Sequence, residues 1–147
     1  MGNLRYLVTA VICALLLAGN IVPSQAGETP APEDARVYFI SPSDGETVKG
    51  DVHVRFGLSG IGVAPAGIDK AGTGHHHLLI NTDLPEGAAL DDPIPSDAQH
   101  RHFGGGQTEA VIALPPGTHH LQLLLGDHNH IPHMPPVYSE RISITVE

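Results

Sequence analysis

Hydrophobic and polar residues alternate along several short stretches of this chain, with a period of two. In residues 51–57 (DVHVRFG), Val52, Val54 and Phe56 fall on one side, and His53 and Arg55 on the other. In residues 141–146 (RISITV), Ile142, Ile144 and Val146 share a side. A β-strand sends successive side chains to opposite faces, so each stretch predicts a strand with one face in a core. Residues 36–40 (RVYFI), 76–81 (HHLLIN), 109–114 (EAVIAL) and 118–126 (THHLQLLLG) complete the set. Turn formers punctuate it: Ser41-Pro42-Ser43-Asp44-Gly45 follows the first stretch, and Pro115-Pro116-Gly117 separates the runs at 109 and 118. No stretch carries a convincing helical period. The expectation is an all-β fold, an antiparallel immunoglobulin-like β-sandwich of six to eight short strands.

Two connections, 60–74 and 83–107, are long for hairpins, and long loops in small domains often carry function. The start of the chain has a different character. Arg5, an apolar run over 7–19 and Ser24-Gln25-Ala26 read as a signal peptide over residues 1–26, an uncleaved anchor being the alternative. Cys13 lies inside the apolar run behind bulky Ile12, which argues against a lipid anchor. Residues 27–35 (GETPAPEDA), acidic and Pro-rich, predict a flexible leader, and 36–147 a single β-sandwich domain.

Cleavage after Ala26 leaves 121 of the 147 residues, enough for one core. It also removes the single cysteine, so no disulfide or thiolate ligand remains. The formal charge of −9 becomes −10 with the loss of Arg5. Such a surface repels phosphate backbones and excludes nucleic acid as a partner. No second apolar run reaches membrane-spanning length, so the expected destination is periplasmic or secreted, without membrane association after cleavage.

The chemistry lies in eleven histidines, most of them clustered: His75-His76-His77, His100-x-His102, His119-His120 and His128-x-His130-x-x-His133. In an extended triplet, His75 and His77 share a face with Cα atoms roughly 6.6–7 Å apart, a spacing from which two imidazoles converge on one ion. His76 then faces the side of Leu78 and Ile80, as a buried histidine bonded to backbone. His102 stands nearer the following strand than His100 and precedes Phe103 and Gly104-Gly105-Gly106, read chiefly as an irregular turn. His128, His130 and His133 sit in a loop stiffened by three prolines, with Asp127 placed to orient an imidazole. His119 shares a face with Leu121, Leu123 and Leu125 and reads as a core-edge residue with a backbone partner; His120 and His53 are also left out of the site. The expected ligands are His75, His77, His102, His128 and His130, with His133 in reserve. No cysteine and a single methionine, Met134, beyond Met1 disfavour a soft Cu(I) site; imidazole-rich sites suit Zn(II), Cu(II), Ni(II) or Fe(II), and since Cu(II) binds most tightly, with zinc its close competitor, Cu(II) or Zn(II) is the expected ion.

The strings GTGHHHLLINTDLP and HFGGGQTEAVIALPPGTHHLQLLLGDHNHIPHMPPV, with the opening VYFISPSDGETVKGDVHVRFGLSGIGVAPAG, resemble the domain-of-unknown-function 4399 family of exported bacterial proteins. The resemblance covers about residues 36–146 and implies an exported, β-rich single domain, but no activity, ligand or catalytic residue. Three functions compete. The first is metal binding for copper or zinc handling. The second is an oxidoreductase-type metalloenzyme on a β-sandwich, with Asp127 and Glu109 as the only nearby carboxylates; neither Ser-His-Asp nor H-E-x-x-H occurs, and no catalytic residue is assigned. The third is an envelope-interaction module with a protein partner, its histidines structural or pH-sensing. Clustered imidazoles on an exported, Cys-free domain favour the first.

Overall fold

The computed structural model describes residues 29–147, so the expected signal peptide and the first two leader residues lie outside the described residues. Nine strands form two packed sheets: β1 (Arg36–Ser41), β2 (Thr47–Val48), β3 (Val52–Ser59), β4 (Gly62–Val63), β5 (Thr73–Ile80), β6 (His100–His102), β7 (Glu109–Ile112), β8 (Gly117–Gly126) and β9 (Ile142–Val146). One sheet has the order β1-β3-β7. The other runs β2-β9-β8-β5-β4, with β6 also paired to β5. Pairing is antiparallel except for the two-residue contacts β2/β9 and β4/β5. The only helical turn among the described residues is a 3-10 turn at Gly87–Asp91. Among these residues no helix is long and apolar enough to cross a membrane. The fold is thus the antiparallel immunoglobulin-like sandwich that the alternating pattern predicts, with nine strands among the described residues rather than six to eight because the two-residue β2 and β4 carry no pattern of their own.

The core lies between the sheets. Val52, Val54 and Phe56 of β3 meet Leu78 and Ile80 of β5, Leu121, Leu123 and Leu125 of β8, and Ile142, Ile144 and Val146 of β9. β5 departs from simple alternation, because every residue from Gly74 to Ile80 is buried. Its second face is covered by the loop after it, where Ile94 and Leu84 pack on Leu79 and Leu124. A strand enclosed on both faces reads as a continuous rather than an alternating pattern. That enclosure puts polar imidazoles into the interior.

The leader is not free where the structure describes it. The Ala31 N–H donates to the Met134 carbonyl at 2.9 Å, and the Met134 N–H to the Thr29 carbonyl at 2.9 Å. Ala31 and Ala35 also pack on the core. An acidic, Pro-rich composition predicts flexibility, but two backbone bonds to a distant segment override it.

Candidate metal centre

Strand register builds the site. On the outer face of the larger sheet, His75 and His77 alternate with core-facing His76, as the triplet predicts. His77 stands directly opposite His102 of β6 and opposite Leu124 of β8, and His75 opposite Gly126. β5 begins at Thr73, three residues earlier than predicted, so the whole triplet is strand. The segment after β8 then turns back over this face. The Asp127 N–H donates to the Ile131 carbonyl and the His130 N–H to the Asp127 carbonyl, closing a tight turn. His130 occupies the left-handed region at φ 69. Both long loops brace the arrangement: the Ala66 N–H bonds the Gly104 carbonyl, the Gly67 N–H bonds the His128 carbonyl, and the Ile94 N–H bonds the His130 carbonyl.

Four imidazoles meet as a result. Ring centroids of His75 and His77 lie 4.7 Å apart, and His102 lies 5.0 and 5.1 Å from them. His130 lies 4.6 Å from His102, 5.0 Å from His75 and 6.1 Å from His77. One ligand nitrogen from each of His75, His77 and His102 falls within 4.8 Å of the others. A tetrahedral ion with bonds of 2.0–2.1 Å sets donor separations of about 3.4 Å, so side-chain rotations closing up to about 1.4 Å would bring these three nitrogens to one ion, and His130, outside this group of three, would have to move further.

Hydrogen bonding and charge mark the same residues. His75 and His77 are fully buried, and neither ring nitrogen of either has a hydrogen-bond partner; the same holds for Nε2 of His102. Buried polar atoms without a partner are uncommon. Burial, reinforced by the neighbouring imidazoles, pushes His75 down to about 4 and His77 to about 2, and lowers His102. The rings are therefore neutral near pH 7, the form that binds metal.

Glycines clear space for these rings. A Cβ on Gly126 would lie 2.7 Å from Cε1 of His77, and one on Gly104 would overlap the ring of His102. Gly104 thus belongs to the site, whereas Gly106, at φ 79, serves the turn. The sequence hides this division among three consecutive glycines.

The remaining histidines separate from the cluster. His128 is not brought into it: its Nε2 pairs with the Asn129 side-chain amide at 2.9 Å, and its Nδ1 lies 3.8 Å from Asp69. Strand-like i, i+2 spacing fails here, because 128–130 form a turn rather than a strand. His133 is buried beside Gly74, with Nε2 donating to the Thr73 carbonyl at 3.1 Å. Asp127 bonds no imidazole. Its Oδ1 accepts from the Asn129 and Ile131 N–H groups at 2.8 and 3.0 Å, and its Oδ2 from the Thr29 hydroxyl at 2.6 Å. It organises the turn that carries His130.

Outside the cluster, His100 bonds Asp97 at 2.9 Å. His119 donates from Nε2 to the Pro115 carbonyl at 2.7 Å and accepts from Asn81 at Nδ1, the backbone partner expected of a core-edge residue. His76 packs on Phe56 with centroids 4.9 Å apart, and neither of its ring nitrogens has a partner of acceptable geometry. The expected backbone bond there is reduced to a weak favourable influence of the Gln107 backbone, against burial that holds the ring down to about 4.

No curated protein matches the sequence. An endo-beta-1,4-mannanase from Thermotoga petrophila is 17% identical at a TM-score of 0.45, over 78% of this chain; the match spans only 20% of the mannanase. Fibronectin(III)-like modules of Clostridium thermocellum CbhA are 12% identical at 0.36, over 75% of this chain and 92% of that one. Likenesses this weak carry nothing to the present site. The family described as Domain of unknown function (DUF4399) matches residues 54–147, which span the histidine triplet, both glycines and the His130 turn, and the chain belongs to that family.

Proposed function

We propose that this protein binds one transition-metal ion, Cu(II) or Zn(II), through His75, His77, His102 and His130, and handles that ion in an extracytoplasmic compartment. One observation carries the reading: buried imidazoles from β5 and β6 face one another with ring nitrogens that no protein group satisfies. His119 pairs its nitrogens with backbone and side chain, whereas His76 shares the orphan nitrogens but packs on Phe56, so it is the facing of several such rings that supports an ion. An all-imidazole set with no carboxylate or thiolate suits Zn(II), Cu(II), Ni(II) and Fe(II), and Cu(II) binds such nitrogens most tightly of these.

The test uses the mature chain without a histidine tag, stripped with EDTA and titrated with either ion. One equivalent is bound per chain, and the Cu(II) form gives the paramagnetic resonance pattern of several nitrogen ligands. His77→Ala abolishes uptake, and His128→Ala leaves it unchanged. Absence of stoichiometric uptake, or uptake indifferent to His77→Ala, overturns the reading.

A further inference from the structure

Of the four rings, His130 alone comes from a turn rather than a strand, and its position depends on contacts outside the sheet. Its backbone sits at φ 69, a conformation uncommon for residues other than glycine, although His, like Asn and Asp, adopts it more often than most, and the surrounding bonds hold it there. Four do so directly or through the turn. The Ile94 N–H donates to the His130 carbonyl at 2.8 Å, the His130 N–H donates to the Asp127 carbonyl at 3.0 Å, and the Asp127 carboxylate accepts the N–H groups on either side, from Asn129 and Ile131. The other oxygen of that carboxylate is held by Thr29, at the beginning of the described chain. Thr29 is in turn anchored through its carbonyl to the Met134 N–H. Asp127 is almost wholly buried, so the Thr29 hydroxyl completes the bonding of a carboxylate that water barely reaches.

We propose that Asp127 and Thr29 are positioning residues for His130, so that the segment beginning at Thr29 acts as a strap setting the ion affinity of the centre. The inference rests on the metal-binding reading above. Neither residue touches the ion. Both act by keeping the His130 turn closed over the three strand-borne rings. Loosening the strap converts a four-imidazole centre into a three-imidazole one with an open position.

The decisive variant is Thr29→Val, which removes the hydroxyl while keeping the side-chain shape. Losing a group bonded directly to a ligand lowers metal affinity about ten- to a hundredfold, and Thr29 acts one bond further out, so a drop of up to about tenfold is expected. Chelator competition with Zn(II) measures the affinity of wild type, Thr29→Val, His130→Ala and the double variant. The expected result is a drop for Thr29→Val that disappears in the His130→Ala background. An unchanged affinity for Thr29→Val, or an equal drop in both backgrounds, overturns the proposal, the second because the substitution would then act on the domain as a whole. A second readout needs no metal. Amide exchange at His130 and Ile131 in the stripped protein accelerates in Thr29→Val while β3 and β9 keep wild-type rates; unchanged exchange at the turn also overturns the proposal. Wild type that takes up no ion, but whose turn loosens in Thr29→Val, refutes the metal reading and with it the role of the strap in affinity, while leaving its hold on His130 established.

Discussion

Gly126→Ala puts the geometry of the centre to a quantitative test. Gly126 ends β8 and has no positive φ, so alanine fits its backbone. In a strand, replacing glycine by alanine gains roughly 0.5–1 kcal/mol from reduced chain entropy. Here the new Cβ would stand 2.7 Å from Cε1 and 3.1 Å from Nδ1 of His77, and 3.4 Å from Cα of His130. Ordinary carbon contacts are about 3.5–4.0 Å, so the ring must retreat by about 1 Å. It has little room, with His75 and His102 centred 4.7 and 5.1 Å away. Overpacking of this kind costs about 1–3 kcal/mol, leaving a net loss of roughly 0–2.5 kcal/mol. A site that must hold its ligands to within about 0.5 Å also loses ion affinity, by about ten- to a hundredfold. The chain has no tryptophan, so urea unfolding of EDTA-treated protein is followed by circular dichroism, and affinity by chelator competition. Gly62→Ala is the control: it lies in β4, and its Cβ meets nothing closer than Thr73 Cγ2 at 3.4 Å. If Gly126→Ala matches or exceeds wild-type stability and retains affinity, the glycine does not clear space for a ligand and the account of the site fails.

Other consequences follow from burial and bonding. With burial holding His75 and His76 down to about 4 and His77 to about 2, the unfolded chain protonates first as pH falls below 6.5. The metal-free protein therefore keeps this stability above pH 6.5 and loses it as pH drops toward 4. At roughly 1.4 kcal/mol per unit and group, the three together cost about 4 kcal/mol between pH 6 and 5, and a thermal midpoint in EDTA that stays flat over that interval contradicts the assignment. His77→Leu removes two unsatisfied buried nitrogens, so it stabilises the stripped protein by roughly 1–3 kcal/mol while ending ion uptake; a destabilised variant with intact uptake disproves both halves. His119→Leu strands the Asn81 amide and the Pro115 carbonyl and costs about 1–3 kcal/mol in urea unfolding, with ion affinity unmoved.

The sequence pattern exposes the sandwich where one face of a strand meets water. β3 and β9 alternate cleanly and are predicted to within two residues. It fails for β2, β4 and β6, each only two or three residues long and fixed by neighbours rather than by their own periodicity. The start of β5 is missed because a run of histidines looks polar, whereas loop coverage makes it interior. In the site, strand parity correctly pairs His75 with His77 and sets His76 apart, and His102 joins them through the β5/β6 register. Parity cannot sort His128 from His130, since residues 128–130 form a turn in which His130 itself is left-handed. Asp127 is misread for a related reason: an aspartate at the head of a turn has backbone N–H groups within reach, and these capture it before any imidazole does.

The balance of costs at this face bears on why the rings are there at all. Five ring nitrogens of His75, His77 and His102 are buried without a partner. At roughly 1–3 kcal/mol each, their desolvation rivals the 5–15 kcal/mol by which a domain of this size is stable. Leucine at 75 and 77 would extend the apolar patch already formed by Leu79, Leu124 and Ile94 and carry no such penalty. Instead the chain keeps imidazoles and places glycine at 126 and 104, where a larger residue would push them away. An ion takes one nitrogen from each ring, so it would turn at most three of these five orphans into bonds, leaving the N–H of His75 and of His77 without a partner; at the bonded atoms the cost of burial becomes selectivity, because protons and water are excluded from them. His76 marks the contrast: it is equally buried, but it faces phenylalanine rather than imidazole, and no ion would recover its cost.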